Sequence, residues 1–163
     1  MKYLKYFLIL ILSSYLSSCD ESRIFENNID FKEGVWEKEK TLDFDFTIEN
    51  SDQLYNLYYN VRYTNTYPYY NFFSRYFIYD STGKEIKSIP LPEDMFLFDP
   101  KTGEPYGSGM GDIYDHRISF LKNYKFPYPG KYKIKIFQYM RKEPLAGIVS
   151  FGIRVEKSQT NTK

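Results

Sequence analysis

Thr41-Leu42-Asp43-Phe44-Asp45-Phe46-Thr47-Ile48-Glu49 alternates apolar and polar side chains without a break. Leu42, Phe44, Phe46 and Ile48 fall on one side of an extended chain, and Asp43, Asp45, Thr47 and Glu49 on the other. A period of two means a β-strand with one buried and one wet face. The next stretch, Leu54 to Asn65, repeats the pattern. Tyr55, Leu57, Tyr59, Val61 and Tyr63 share one face, and Asn56, Tyr58, Asn60, Arg62 and Thr64 the other. A turn at Tyr67-Pro68-Tyr69 leads into Asn71 to Tyr79, which is aromatic on both faces and reads as an interior strand. Asp80-Ser81-Thr82-Gly83 is a turn signal, so Glu85 to Ile89 is expected to return as a hairpin partner.

Farther along, residues 90–112 carry Pro90, Pro92, Pro100 and Pro105 together with Gly103, Gly107, Gly109 and Gly111. They read as a long loop, and loops of that length in compact domains are often functional. Ile113 to Leu121 fits a helical turn or a strand equally. Pro127-Tyr128-Pro129-Gly130 is a turn, and Lys131 to Arg141 is a strand with Tyr132, Ile134 and Ile136 on its apolar face. Pro144 interrupts. Gly147 to Glu156 is a last strand, with Val149, Phe151, Ile153 and Val155 predicted on one face. The tail from Lys157 to Lys163 is polar. No helical period runs through this part of the chain. The predicted fold is mainly β: a single antiparallel β-sandwich or jelly-roll-like domain over 35–157, with 158–163 as a flexible tail.

Composition agrees. The 163 residues include 18 tyrosines and 14 phenylalanines, side chains that favour pleated sheets and bury large areas. There are 22 basic and 21 acidic side chains. That balance gives no basis for electrostatic capture of nucleic acid or of anionic lipid.

The amino-terminal end carries a different signal. Lys2 and Lys5 precede the apolar run Tyr6-Phe7-Leu8-Ile9-Leu10-Ile11-Leu12, and Leu16-Ser17-Ser18-Cys19 follows. A basic start, a short apolar core and small residues before a cut make a secretory signal. The ending is similar to a lipobox, in which cleavage precedes a cysteine that carries diacylglycerol. A transmembrane helix needs about 20 apolar residues, and Ser13, Ser14 and Tyr15 end the run well short of that. Residues 1–18 are therefore expected to be a lipoprotein signal peptide, with Leu16, Ser17 and Ser18 as its lipobox and Cys19 as the lipidation site. The polar residues that follow, through Gly34, are expected to be a lipidated tether (19–34). Cleavage takes Lys2 and Lys5 with it, leaving 20 basic against 21 acidic side chains. With Cys19 the sole cysteine, stability must come from packing rather than a disulfide.

Candidates for chemistry are few. A zinc site wants clustered His and Cys, and the chain has one histidine, His116. Asp112, Asp115 and His116 are close enough in sequence to pose as acid–base groups, and the competing reading is a polar surface turn. Gly107-Ser108-Gly109-Met110-Gly111 sets a serine among glycines, but the spacing fits neither a nucleophile elbow nor a phosphate loop. Glu93, Asp94, Asp99 and Glu104 flank the long loop, and a hydrolase would need two of them facing one another. Tyr67, Tyr69, Tyr70 and Tyr106 lie in turns, where rings can cap a core, contact a partner protein or stack on a sugar. No metal, cofactor or small-molecule substrate is implied.

The segment Val61-Arg62-Tyr63-Thr64-Asn65-Thr66-Tyr67-Pro68-Tyr69-Tyr70-Asn71 resembles the signature of the GldH family of gliding-motility lipoproteins from Bacteroidota. Three further blocks agree in order: Gly109 to Ile113 with its Gly-x-Gly-Asp-Ile segment, Phe126 to Tyr132 with its Phe-Pro turn, and Gln138 to Arg141 with Leu145 to Lys157 as its carboxy-terminal end. One block departs. Met95 to Tyr106 lacks the tryptophan that the family carries there. The resemblance implies Arg62, Asn65, Tyr67, Pro68, Tyr69, Asn71, Gly109, Gly111, Asp112, Gln138 and Arg141 as motif and interaction positions. It implies a non-enzymatic lipoprotein of the gliding machinery, fixed to the membrane by lipid on Cys19. Its expected partners are other motility lipoproteins and type IX secretion components. The outer membrane, periplasmic leaflet, is the expected location, with the cell surface as the second. A surface glycan-binding module is the alternative, and a row of solvent-facing rings would mark it.

Overall fold

The computed structural model describes residues 20–159, and their regular structure is β apart from one 3-10 turn at Lys32–Gly34. The strands are β1 (Arg23–Asp30), β2 (Val35–Trp36), β3 (Leu42–Ile48), β4 (Tyr55–Thr64), β5 (Asn71–Asp80) and β6 (Glu85–Ser88). There follow β7 (Glu93–Phe96), β8 (Ser108–Met110), β9 (Ile113–Tyr124), β10 (Gly130–Gln138), β11 (Leu145–Ala146) and β12 (Ile148–Lys157). One five-stranded sheet has the order β1-β12-β4-β9-β8. The other runs β3-β10-β5, with β6 and β7 both on the far side of β5. A small β2–β11 ribbon completes the set, and every pairing is antiparallel. The expected mainly β, sandwich-like domain is what the chain forms. The signal peptide, lipobox and Cys19 lie outside the described residues, as do residues 160–163 of the tail.

The two sheets close on an aromatic core. Leu42, Phe44, Phe46 and Ile48 of β3 are buried, as are Tyr55, Leu57, Tyr59, Val61 and Tyr63 of β4. These are the faces that alternation selected. Trp36 is fully buried and bridges the sheets: its ring centroid lies 5.6 Å from Phe72 in β5 and 5.2 Å from Phe151 in β12. Its indole N–H donates to the Lys40 carbonyl at 2.8 Å, so the buried polar edge is satisfied. Truncating such a ring to alanine costs about 3–5 kcal/mol.

Four sequence expectations need correction or completion. Residues 23–30 are not tether; they form β1, which pairs with β12 from Arg23↔Glu156 to Asp30↔Ser150. A bulge between Arg23 and Phe25 leaves Ile24 and Phe25, adjacent in sequence, both packed on the core, which hides the alternation. Ile113 to Leu121 is strand, part of β9. Val149 does not share the core face of Phe151, because a bulge between Ile148 and Ser150 puts Ile148 there instead. Ser158, expected in a free tail, is buried, and its N–H donates to the Leu54 carbonyl at 2.8 Å.

Candidate functional site

The family-like residues gather at one end of the sandwich, where β4 passes through residues 65–70 into β5. Asn65 is clamped twice to Asp112 in the β8–β9 hairpin. Its backbone N–H donates to the Asp112 carbonyl at 2.9 Å, and its side-chain amide to Oδ1 at 2.7 Å. Gly111 takes the hairpin tip at φ 65°, a left-handed conformation that glycine adopts without strain. Gly109 is bare because the Tyr114 ring lies on it; an added Cβ would sit 2.3 Å from that ring. Tyr67 is buried, donates from its hydroxyl to the Asn71 carbonyl at 2.9 Å, and has its ionisation pushed well up by burial. Asn71 in turn donates to Asp94 Oδ1 on β7 at 2.8 Å. Pro68 and Tyr70 are exposed, and Tyr69 is half-buried.

Arg62 reaches outward from β4 and grips Asp115 with Nε at 2.8 Å and a second guanidinium nitrogen at 3.1 Å. Both side chains are about half exposed, so the pair contributes no more than about 1 kcal/mol. Gln138 is buried at the end of β10, where its Oε1 accepts the Met140 N–H at 2.9 Å. Arg141 is exposed beyond it. The structure thus brings Arg62, Asn65, Tyr67, Pro68, Tyr69, Asn71, Gly109, Gly111 and Asp112 to one pole. Gln138 and Arg141 reach the same end from the other sheet. Most of the polar members are spent on holding turns in shape.

Other candidates separate. Asp115 and His116 are consecutive on β9 and point to opposite faces, so they do not form a dyad. Asp115 takes Arg62, whereas His116 is half-buried, has its pKa lowered by that burial and stacks on Tyr106 at 5.8 Å. Glu93 and Asp94 also alternate. Glu93 turns inward and accepts the Tyr59 hydroxyl at 3.0 Å, and burial raises its pKa. Asp99 folds onto its own loop, accepting the N–H groups of Lys101 and Thr102 at 2.8 and 3.0 Å. Glu93 and Asp94, on opposite faces of β7, therefore do not face one another as hydrolysis would require. The four turn tyrosines do not form a row either: Tyr67 is buried and meets Tyr69 edge-on, at 71°.

Sequence reasoning missed two features of the first sheet's outer face. One is an open trough of about 870 Å³ lined by Glu26, Asn28, Asn60, Arg62, Asp115 and Arg117, among others. The polar face of β4 was its visible signal. The other is Arg154, only 5% exposed and ringed by Asp20, Glu26 and Glu156. Asp20 and Arg154 stand 134 positions apart, and no local pattern joins them. The Ser22 hydroxyl and the Arg154 guanidinium hold the Asp20 pKa down to about 2.

A family model described as GldH lipoprotein matches residues 23–155. The chain belongs to the GldH lipoprotein family. Among similar relatives, a "Gliding motility lipoprotein GldH homolog" of Christiangramia forsetii is 34% identical over 159 residues, covering 93% of this chain and 94% of its own. "Gliding motility lipoprotein GldH" of Flavobacterium johnsoniae is 31% identical over 159 residues, covering 92% of this chain and 94% of its own. Among solved structures, a 4-O-methyl-α-glucuronidase overlays with a TM-score of 0.40 at 12% identity, over 87% of this chain and 18% of that one. A likeness of that size assigns nothing. The residue-by-residue resemblance drawn from the 61–71 signature therefore identifies the family correctly. As a GldH-family chain it is a lipoprotein by kind. Among the described residues no helix is long and apolar enough to cross a membrane.

Proposed function

We propose that this chain is a non-enzymatic component of the bacterial gliding apparatus, anchored in the outer membrane by acyl chains on Cys19. It acts by contact with other motility lipoproteins and with type IX secretion components. The reading rests on one observation above the others: the match runs through the whole β-domain, to relatives of near-equal length named for gliding motility. Each buried methylene of an acyl chain adds about 0.8 kcal/mol, so several chains on one sulfur make dissociation negligible. The signature end supports a contact role, because its hydrogen bonds hold exposed turns in a fixed shape. The periplasmic leaflet is favoured over the cell surface.

Cys19→Ala in the native host tests this. The expected result is release of the protein from the membrane fraction together with loss of colony spreading. Unchanged fractionation and normal spreading would count against the proposal. Crosslinking of the wild-type chain in its native membrane should capture other motility lipoproteins or secretion components.

A further inference from the structure

The chain has almost no slack between its anchor and its fold. Cys19 is joined directly to Asp20, and consecutive Cα atoms are 3.8 Å apart. Asp20 already belongs to the domain. Its carboxylate binds the nearly buried Arg154 guanidinium and the Ser22 hydroxyl, and its carbonyl accepts the Arg23 N–H at 3.2 Å. β1 begins at Arg23, and the Ser22 carbonyl accepts the Lys157 N–H at 2.7 Å. A flexible tether of about 15 residues would span roughly 20 Å and let the domain tumble. That tether is absent between Cys19 and the sheet.

The pairing register shows what surrounds Asp20. Arg23 lies opposite Glu156, Tyr55 opposite Lys157, and Tyr55 opposite Tyr124. The same end therefore holds residues 49–54 and 122–129. The opposite end holds residues 65–70 and the Met110–Asp112 hairpin tip, because β4 runs from one to the other. Ten residues of β4 at about 3.3 Å each put the two ends roughly 33 Å apart.

Position along the strands chooses this end: Asp20 comes just before β1, and Arg23 pairs with Glu156 next to the last residue of β12. Arg23, Lys122, Lys125 and Lys157 are exposed around it, and so are Asp20, Glu21, Glu49 and Asp52, so this end is balanced in charge. The β1 edge alongside carries Glu26 and Asp30 instead.

We propose that the end around Asp20 rests directly on the bilayer surface, so that the domain stands in one orientation with its signature turns on the far side. The Asp20–Arg154 contact is the latch that fixes this posture. The proposal rests on lipidation of Cys19. It concerns what the anchored domain does, not whether it is anchored.

The test uses native acylated protein reconstituted in vesicles of phosphatidylethanolamine and phosphatidylglycerol that contain a quencher lipid. Cys19 is the sole cysteine and is blocked by the anchor, so Ser51→Cys and Met110→Cys each accept one fluorophore. Quenching should be several-fold stronger at 51 than at 110. Inserting a 15-residue Gly-Ser linker between Cys19 and Asp20 should bring the two towards equality. Equal quenching in the parent, with mass spectrometry showing acylated Cys19, overturns the orientation and leaves the lipoprotein reading intact. A bare Cys19 in the native protein overturns both.

Discussion

Gly152→Ala should loosen the strand on which the anchor depends. Gly152 sits in β12 opposite Asn28 of β1. A Cβ built there would lie 1.8 Å from Asn28 Oδ1 and 2.5 Å from the Asn27 carbonyl oxygen. The Asn28 amide can swing away, losing its 3.3 Å bond from Asn60. The Asn27 carbonyl is backbone and cannot. Contacts of this kind essentially never fall below 3.0 Å, so β1 must retreat by at least half an ångström along Asn27–Asn28. Overpacking of this sort costs about 1–3 kcal/mol. Alanine also narrows the unfolded ensemble, which returns about 0.4–1 kcal/mol. The steric term wins, and the net loss lowers the midpoint of thermal unfolding by roughly 2–4 °C per kcal/mol in a domain of this size. The loss should be local first. Hydrogen exchange should speed up in residues 23–30 before it does in β3 or β4. A variant as stable as its parent, with β1 amides equally protected, would refute the argument.

Two further outcomes follow from buried hydroxyls and from the latch. Tyr63→Phe removes a buried hydroxyl that reaches the carbonyls of Leu97 and of Tyr106, the latter at 2.7 Å; the Leu97 carbonyl keeps the Tyr106 N–H, so losing the one hydroxyl bond should cost about 0.5–1.5 kcal/mol. Burial holds the Tyr63 pKa up at about 12, above its unfolded value, so stability should fall as pH rises past 10; chemical denaturation across that range should show a shallower fall in the variant. In acid the latch works in the opposite sense. Asp20 is depressed to about 2, so its contribution is complete above the unfolded carboxylate pKa of about 4 and is lost as pH falls towards 2. Glu26 adds to this in the same direction: burial opposes its ionisation, but bonds from Arg23, Asn60 and Arg154 more than offset that. Exchange at β1 amides, corrected for intrinsic rates, should rise over that window; protection that stays flat would show that the pair does not hold the strand.

Much of the fold could be read from strands with one wet face. Leu42 to Ile48 and Tyr55 to Tyr63 bury every second residue, with the alternate side chains exposed in the first strand and mostly half-buried in the second. What escaped did so for a stateable reason. β1 is an edge strand whose bulge shifts the period, and β9 alternates exposed and half-buried residues only as far as Ile118, after which register shifts opposite Tyr55 to Tyr58 break its period. The signature residues were legible as a set, because order and spacing along the chain carry them. Their partners were not: Asn65 with Asp112, Arg62 with Asp115 and Asn71 with Asp94 are pairings made across strands. Polar residues that seemed available for binding turned out to be the fastenings of the turns.

That distinction bears on what the two ends of the sandwich do. At the signature end, amides and carboxylates pair with each other, while Tyr70, Met110 and Ile113 are left 55%, 89% and 43% exposed. Polar groups that fasten a turn cannot also be strong ligands for a partner, since each would have to break one bond to make another. Apolar side chains carry no such prior commitment, and burying them is favourable in proportion to area. At the anchor end the balance reverses: Arg154 is buried under three carboxylates, and what remains exposed is mostly charged. A partner at the signature end would therefore gain affinity from Tyr70, Met110 and Ile113. Asn65, Asp112 and Asn71 would supply the rigidity that keeps the ordering cost of binding low. Substituting Met110 should weaken capture without destabilising the fold, whereas substituting Asn65 should do both. If the two variants behaved alike, fastening and contact would not be separate jobs in this pole.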